Sequence, residues 1–305
     1  MTAHALASVL IPAYNERHFA AAFESARKQT YASLEIVVCD DSPGTAIEET
    51  VRRAADARVR YERNPARLGF GGNFSRCFEL ARGDYVKFLN DDDLLRPACV
   101  ETLASALGAN PATKLATSRR LMIDAADVVQ PDVQATSPLC PVSALLSGRE
   151  LGDFVLSHMV NFIGEPTTVL FRRADLAPED GRVFRWGGRD YHCLADLGLW
   201  LRLLAQGQAY YHAQPLSAVR RHAGQEQDKP EVRVGCLTER VWIVGAARSA
   251  GFLATPALVR QALDSVRSQV DHFERGETHD EATRSTIATL RAELEREATT
   301  LAKTR

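Results

Sequence analysis

The chain has 305 residues and 45% hydrophobic content, enough to bury a sizeable core as one large domain or as one domain with an appendage. Thirty-seven Lys and Arg against thirty-nine Asp and Glu leave a formal net charge of -2, which excludes a general electrostatic attraction for nucleic acid or for an anionic membrane surface. Any bound phosphate must therefore be met by a local site.

The six cysteines, Cys39, Cys77, Cys99, Cys140, Cys193 and Cys236, show no Cys-x-x-Cys spacing. They are read chiefly as buried small apolar residues in a reducing cytosol. The stretch Ala5 to Ile11 lacks the basic start and cleavage site of a secretory signal, and no apolar run approaches the roughly 20 residues that span a bilayer. A cytoplasmic protein is expected, with membrane contact at most peripheral.

In chain order, short β-rich apolar runs at 6–11, 34–39, 58–62 and 84–89 alternate with helical patterns at about 18–29, 45–56, 71–81 and 97–108. This is the βαβ pattern of a mostly parallel sheet. Phe19, Ala22, Phe23 and Ala26 share one face of the first helix. Each loop then falls at the C-terminal end of a strand, where open α/β sheets bind ligands. From 110 to 160 the pattern weakens around Pro131, Pro138 and Pro141, with a strand near 114–121 and a helix near 150–158. A strand follows at 167–171, a helix at 194–206, and two short strands at 209–213 and 216–221. Beyond 231 the chain reads as helices with breaks near Gly251–Pro256 and Gly276. The last carries Ile287, Leu290, Leu294 and Leu301 on one stripe, a docked amphipathic helix or, alternatively, a homodimer contact.

Chemistry-bearing residues cluster at the strand ends. The first strand runs into Pro12-Ala13-Tyr14-Asn15-Glu16, where Tyr14 could stack on a base or the turn could be an ordinary one capped by Asn15. The second ends in Asp40-Asp41-Ser42; a carboxylate there either accepts the imide N–H of uracil or thymine or caps the next helix. The fourth ends in Asn90-Asp91-Asp92-Asp93. Three successive carboxylates repel one another, and a divalent cation with a taste for hard oxygen ligands, magnesium or manganese, is the natural compensation. The rival reading is a solvated loop capping the helix at Pro97.

PAYNE, VVCDDS and FLNDDDLL, in this order and spacing, resemble the family-2 inverting glycosyltransferases of the GT-A fold. The resemblance covers about residues 6–225 and implies a Rossmann-like, mixed but mostly parallel sheet flanked by helices. The expected organisation is a GT-A domain over 1–225, with a nucleotide-binding half at 1–108 and an acceptor-binding half at 109–225, and a C-terminal helical extension over 226–305. It also implies a nucleotide diphosphate-sugar donor, held at Pro12, Tyr14, Asn15, Glu16, Asp40 and Asp41 with Asp91 on the ribose, and a metal at Asp92 and Asp93. The usual pattern is Asp-x-Asp-Asp, so Asn90 replaces a carboxylate and the division of labour among the three aspartates stays open. Asn64 to Asn73 is similar to the family's glycine-rich loop, from which Arg67 could reach diphosphate or base.

Further on, Ala195-Asp196 leading into Leu-Trp-Leu-Arg-Leu resembles the family's Glu-Asp motif. Asp196 takes the role of catalytic base, with Asp190 and Glu165 as rivals and helix capping as the bland alternative. His222, in a late segment similar to the family's, would complete the metal shell, with Arg220 and Arg221 near the diphosphate. The resemblance implies that the turn from Asn161 to Thr168 lines the cleft below the sugar, with Glu165 facing donor or acceptor, the alternative being a Gly-Pro turn into a core strand; Arg185 to His192 is read as a segment that could close over the acceptor. The expected activity is metal-dependent hexosyl transfer with inversion from a UDP- or TDP-sugar. The acceptor is a glycan, a lipid-linked saccharide, a protein or a small molecule, and no nucleic acid is involved. Rival readings are a nucleotidyltransferase and a sugar-nucleotide-binding protein without turnover. A dehydrogenase is disfavoured because the first strand leads to PAYNE in place of Gly-x-Gly-x-x-Gly.

Overall fold

A computed structural model describes residues 5–221, 230–276 and 280–302. The first half is the expected alternation: β1 (Ala7–Ala13), α1 (Glu16–Arg27), β2 (Leu34–Asp40), α2 (Ala46–Ala54), β3 (Val59–Arg63), α3 (Gly69–Leu80) and β4 (Tyr85–Phe88). Every residue of β1 and β2 is buried, as strands covered on both faces require. Helix α1 starts where the Asn15 side chain accepts from Arg17 N, and it buries Phe19, Ala22, Phe23 and Ala26.

After the acidic loop come β5 (Leu94–Leu95), α4 (Cys99–Ala109), β6 (Thr113–Ile123), β7 (Val129–Gln130), β8 (Ala144–Ser147), α5 (Gly148–His158) and β9 (Leu170–Arg172). A small hairpin, β10 (Arg185–Trp186) with β11 (Arg189–Asp190), precedes α6 (Ala195–Leu204) and β12 (Gln208–Arg220). Two expectations change here. The strand expected over 167–171 begins as a 3-10 turn at Pro166–Thr168, so only β9 is extended. The two short strands expected between 209 and 221 are one strand, β12, whose pairing with β6 slips register between His212 and Ser217. The slip falls beside Pro215, which cannot donate to a ladder.

The sheet order is β3-β2-β1-β4-β9-β6-β12-β5. Strands β1 to β4 are mutually parallel, β9 is antiparallel to both β4 and β6, and β12 is parallel to β6. The C-terminal ends of β1, β2, β4, β6 and β12 therefore share one rim. Alternation along β1 sends Val9 and Ile11 to one core, with Phe19, Phe23 and Leu103, and Leu10 to the other, with Phe74, Val155 and Trp200.

That second core continues into the C-terminal helices α7 (Pro230–Ser249), α8 (Pro256–Gly276) and α9 (Glu281–Ala302). Ile287, Leu290 and Leu294 of the amphipathic stripe are buried there; the Leu301 side chain lies outside the described residues. No described helix is long and apolar enough to cross a membrane. The cysteine reading also needs correction. Cys39, Cys77 and Cys99 are buried and free, as expected, but Cys193 and Cys236 form a disulfide across a separation of 43 residues. No local spacing pattern can announce a bond between elements that far apart in sequence.

Phe252, 1% exposed, follows the end of α7 and packs on α5. A Cβ on Gly152 would meet its ring at 2.2 Å, and the Arg149 guanidinium lies 4.9 Å from its centroid. Phe252→Ala is expected to cost about 3–5 kcal/mol in urea unfolding. A loss below about 1 kcal/mol, the size of an ordinary surface change, would mean that the helical segment does not share the core.

Candidate active site

The acidic rim is built by backbone donors. Both oxygens of Asp41 are filled: Oδ1 accepts from Asn64 Nδ2 at 2.7 Å, and Oδ2 accepts from Gly69 N at 2.8 Å and Leu68 N at 3.0 Å. Asp41 thus holds the first turn of α3, where a carboxylate also favours the positive helix end. Asp40 is 1% exposed; its Oδ1 accepts from Ser42 N, and its Oδ2 from Tyr61 Oη at 2.7 Å and from Arg63. A base could reach Asp40 only if Tyr61 or Arg63 yields. Buried Asn73 ties the ends of β1 and β2 together, donating to the carbonyls of Ala13 and Cys39.

Asp91 Oδ2 accepts from Tyr14 N and Asn15 N, both at 2.6 Å, so the acidic loop holds the PAYNE turn. Burial, with Asp92 adding repulsion, pushes the Asp91 carboxyl up to about 6 against those two bonds. Pro12 is buried in β1 opposite Cys39, and exposed Glu16 reaches back over Gly44. Tyr14 is 44% exposed with the Arg67 guanidinium 4.3 Å from its ring centroid. The two residues read separately from the sequence thus form one cation–π pair at the rim.

Asp93 is 1% exposed and turned inward. Its Oδ2 accepts from Thr167 Oγ1 at 2.6 Å and Asn90 Nδ2 at 3.0 Å, and its Oδ1 from Arg220 N at 2.8 Å. Burial and then Asp92 raise its carboxyl well above the usual range. In this arrangement both Asp93 oxygens face protein donors. Asn90, which stands where the resemblance leads one to expect a carboxylate, is a donor to Asp93. Arg220, expected near a diphosphate, is 1% exposed and donates from Nε to Asp92 O and from Nη1 to Asp124 O, both at 2.7 Å. His222 lies outside the described residues. Among the described residues, no group of three or more His, Cys, Asp or Glu side chains is disposed to hold a metal. Asp92 is half-buried at the rim, between Asp91 and Asp93 and close enough to act on both carboxyls. One carboxylate suits a magnesium-type ion that completes its shell with substrate phosphates and water, and the repulsion within the cluster favours a cation.

Asp196 stands in the first turn of α6. Its Oδ2 accepts from Asn161 Nδ2 at 2.8 Å and its Oδ1 from Leu197 N at 2.7 Å. Burial, followed by the negative charge of Glu165, pushes its carboxyl up to about 7, with Arg120 acting the other way. Glu165 acts electrostatically on Asp93 as well as on Asp196. The turn carrying Glu165 is rigid. Gly164, at φ 120, gives its carbonyl to Trp200 Nε1 and Asn161 Nδ2, and a Cβ there would strike Thr168 at 2.6 Å. Arg120, 2% exposed, donates to the carbonyls of Asn161 and Phe162 and pairs with Glu165 at 2.6 Å.

The rival base Asp190 is exposed and paired with Arg182 and Arg185. Ala195 is 3% exposed in the core, so its position in the expected acidic pair has no access to solvent. Sequence reading assigned nothing to Arg120 and no separate role to Asn161. The available signal was an arginine inside a strand pattern and an asparagine opening a Gly-Pro turn. A cavity of about 240 Å3 lies between Phe70 to Gly72 at the start of α3 and Phe184 to His192 beside the hairpin. Phe70 stacks on Phe184 at 5.2 Å and meets His192 edge-on at 5.0 Å.

The sequence profile described as Glycosyl transferase family 2 matches residues 8–138. An uncharacterised protein of Mycobacterium tuberculosis is 34% identical over 227 residues, covering 71% of this chain and 67% of that protein. A UDP-Glc:alpha-D-GlcNAc-diphosphoundecaprenol beta-1,3-glucosyltransferase of Escherichia coli is 33% identical over 29% of this chain, and the match spans only 36% of that enzyme. Among solved structures, S. aureus TarS 1-349 superposes with a TM-score of 0.63 at 14% identity, covering 95% of this chain and 80% of that one. The same protein in complex with UDP-GlcNAc gives 0.58 at 13% identity, over 98% and 91% of the two chains. These structural likenesses speak for the fold.

The electrostatics of Asp196 can be read directly. Carboxyl carbon NMR should show Asp196 titrating near pH 7. In Glu165→Gln its midpoint should fall, because a like charge is removed and Arg120 is released. An unchanged or higher midpoint would contradict the assigned origin of the shift.

Proposed function

The chain belongs to glycosyl transferase family 2, and from that premise we propose that it is an inverting glycosyltransferase in which Asp196 is the general base. The donor is a nucleotide diphosphate-sugar, UDP- or TDP-linked. The observation that carries this reading is the state of Asp196, a carboxyl raised to about 7 and oriented by Asn161 and Leu197 N. A base works best when its pKa lies near the working pH, and an ordinary carboxylate would be too weak to take a hydroxyl proton efficiently.

In this reading the acceptor hydroxyl oxygen attacks the anomeric carbon as the bond to the diphosphate oxygen breaks on the opposite face. The hydroxyl proton passes to Asp196, while Asn161 keeps the carboxylate aimed and Glu165 and Arg120 set its basicity. Tyr14 and Arg67 line the base, and Asp91 meets the ribose through the oxygen not engaged by the PAYNE turn. Asp92 would hold a divalent cation, magnesium or manganese, together with the diphosphate; bound there, it neutralises charge developing on the leaving group. The 185–190 hairpin and the cavity beside Phe70 would face the acceptor and keep out water. A lipid-linked glycan is the favoured acceptor class, supported by the names of the matched E. coli glucosyltransferases.

Asp196→Asn should lower kcat by about 10² to 10⁴ while leaving donor affinity unchanged. The wild-type rate should rise with pH through about 7 as Asp196 ionises. The raised folded pKa also means that ionisation costs stability, a cost that grows as pH climbs from about 4 through 7. Asp196→Asn removes that cost but turns an amide NH2 toward one of the two donors, Asn161 Nδ2 or Leu197 N, so its melting temperature at pH 8 is measured beside kcat to separate loss of chemistry from loss of fold. Full transfer by the variant would overturn the base assignment, and release of pyrophosphate in place of a nucleoside diphosphate would identify a nucleotidyltransferase.

A further inference from the structure

The segment that leads into Asp196 is held from outside the nucleotide-binding sheet, by one face of α7. Glu239, 7% exposed, accepts from His192 N through Oε1 at 2.9 Å and from Leu194 N through Oε2 at 2.8 Å. Cys193, between those two donors, is disulfide-bonded to Cys236. One turn further along, Trp242 meets Tyr191 edge-on with ring centroids 6.5 Å apart. Residues 236, 239 and 242 fall three apart and so share a helix face. Residues 191 to 194 are thus fastened to α7 one after another. Leu194 in turn accepts the Gly198 N–H at 2.8 Å, a bond of the first turn of α6, the turn that carries Asp196.

We propose that α7 positions the base segment, with Glu239 as a positioning residue and the Cys193–Cys236 bond as a second tie that dithiol reductants can open. The proposal rests on the base assignment above for its kinetic consequence, and on geometry alone for its structural one. A buried carboxylate that accepts two backbone N–H groups makes charge-assisted bonds, about twice as strong as neutral ones. Glutamine cannot replace it, because its NH2 end would face a second N–H donor. Both cysteines are half-exposed, so a reductant can reach them.

The redox step is thiol–disulfide exchange. A thiolate of a dithiol attacks one sulfur of the pair, and the other leaves as a thiolate. The second thiol of the reductant then resolves the mixed disulfide. Two electrons and two protons pass to the protein, leaving two cysteine thiols and an oxidised cyclic disulfide. Opening this tie leaves the Glu239 bonds in place, so reduction alone is expected to loosen the segment less than loss of the carboxylate.

The test compares the full chain as wild type, wild type reduced with dithiothreitol, Glu239→Gln, and a Cys193→Ser/Cys236→Ser double variant. Hydrogen exchange of the peptide spanning 190–199 and transfer kinetics are measured on each. The expected result is exchange about tenfold faster in Glu239→Gln, with a smaller rise in the reduced and double-serine forms. Turnover should fall about 10- to 100-fold in Glu239→Gln, the scale of a small misplacement of a reacting group. The KM for donor should stay within about twofold of wild type, and reoxidation should restore the reduced enzyme. Exchange unchanged in Glu239→Gln and on reduction would overturn the proposal, as would faster exchange with turnover within about twofold of wild type. If the wild type transfers no sugar but exchange responds as expected, the structural tie stands and the glycosyltransferase reading fails.

Discussion

Parallel strands β1, β2 and β4 end side by side, and the sequence at those ends carries five carboxylates, Asp40, Asp41, Asp91, Asp92 and Asp93. Everything around the rim follows from managing that charge. Two of the five are absorbed wholly by the protein. Asp41 is consumed by the start of α3, and Asp93 by Thr167, Asn90 and Arg220 N. Asp91 anchors the PAYNE turn, and Asp40 faces Tyr61 and Arg63. Beneath them Lys87 is fully buried and donates to Thr167 O, with its pKa lowered by desolvation. The five carboxylates are thus held by partners drawn from several different elements, which fixes the shape of the rim.

The same logic links the rim to Asp196. Thr167, which binds Asp93, belongs to the turn that carries Glu165 and Asn161, and that turn is fixed by Arg120, Thr117 and Trp200. A shift of the turn would move the partner of buried Asp93 and the partner of the proposed base together. The glycine at 164 is required at both levels, by its positive φ and by the contact with Thr168. Asp196 meanwhile stays at an energetic cost, since a carboxyl raised to about 7 is one that burial disfavours when charged. Such costs are commonly tolerated where function needs them.

The alternation of strands and helices through residue 109 was legible because burial on both faces of β1 and β2 demands continuous apolar runs, and α1 presents its apolar stripe at helical spacing. Acidic strand ends were legible as a group, because strand direction alone collects them at one rim. What each carboxylate does was not legible. Asp41 and Asp93 differ from their neighbours only in which backbone N–H groups lie within reach, and those come from residues 27 and 127 positions away. The disulfide, the hold of Glu239 on Leu194 and the burial of Arg220 are long-range contacts of the same kind. Periodicity carries no trace of them. The single strand β12 was read as two because a proline interrupts its ladder without ending its extended course.

The most direct test of the central claim is calorimetric titration of the whole protein with UDP, TDP and GDP, each with and without manganese. The account predicts that one pyrimidine nucleoside diphosphate binds and that manganese tightens it, since the diphosphate supplies the ligands that Asp92 alone cannot. Binding to none of the three, in either condition, would contradict the assignment of this rim as a nucleotide diphosphate-sugar site.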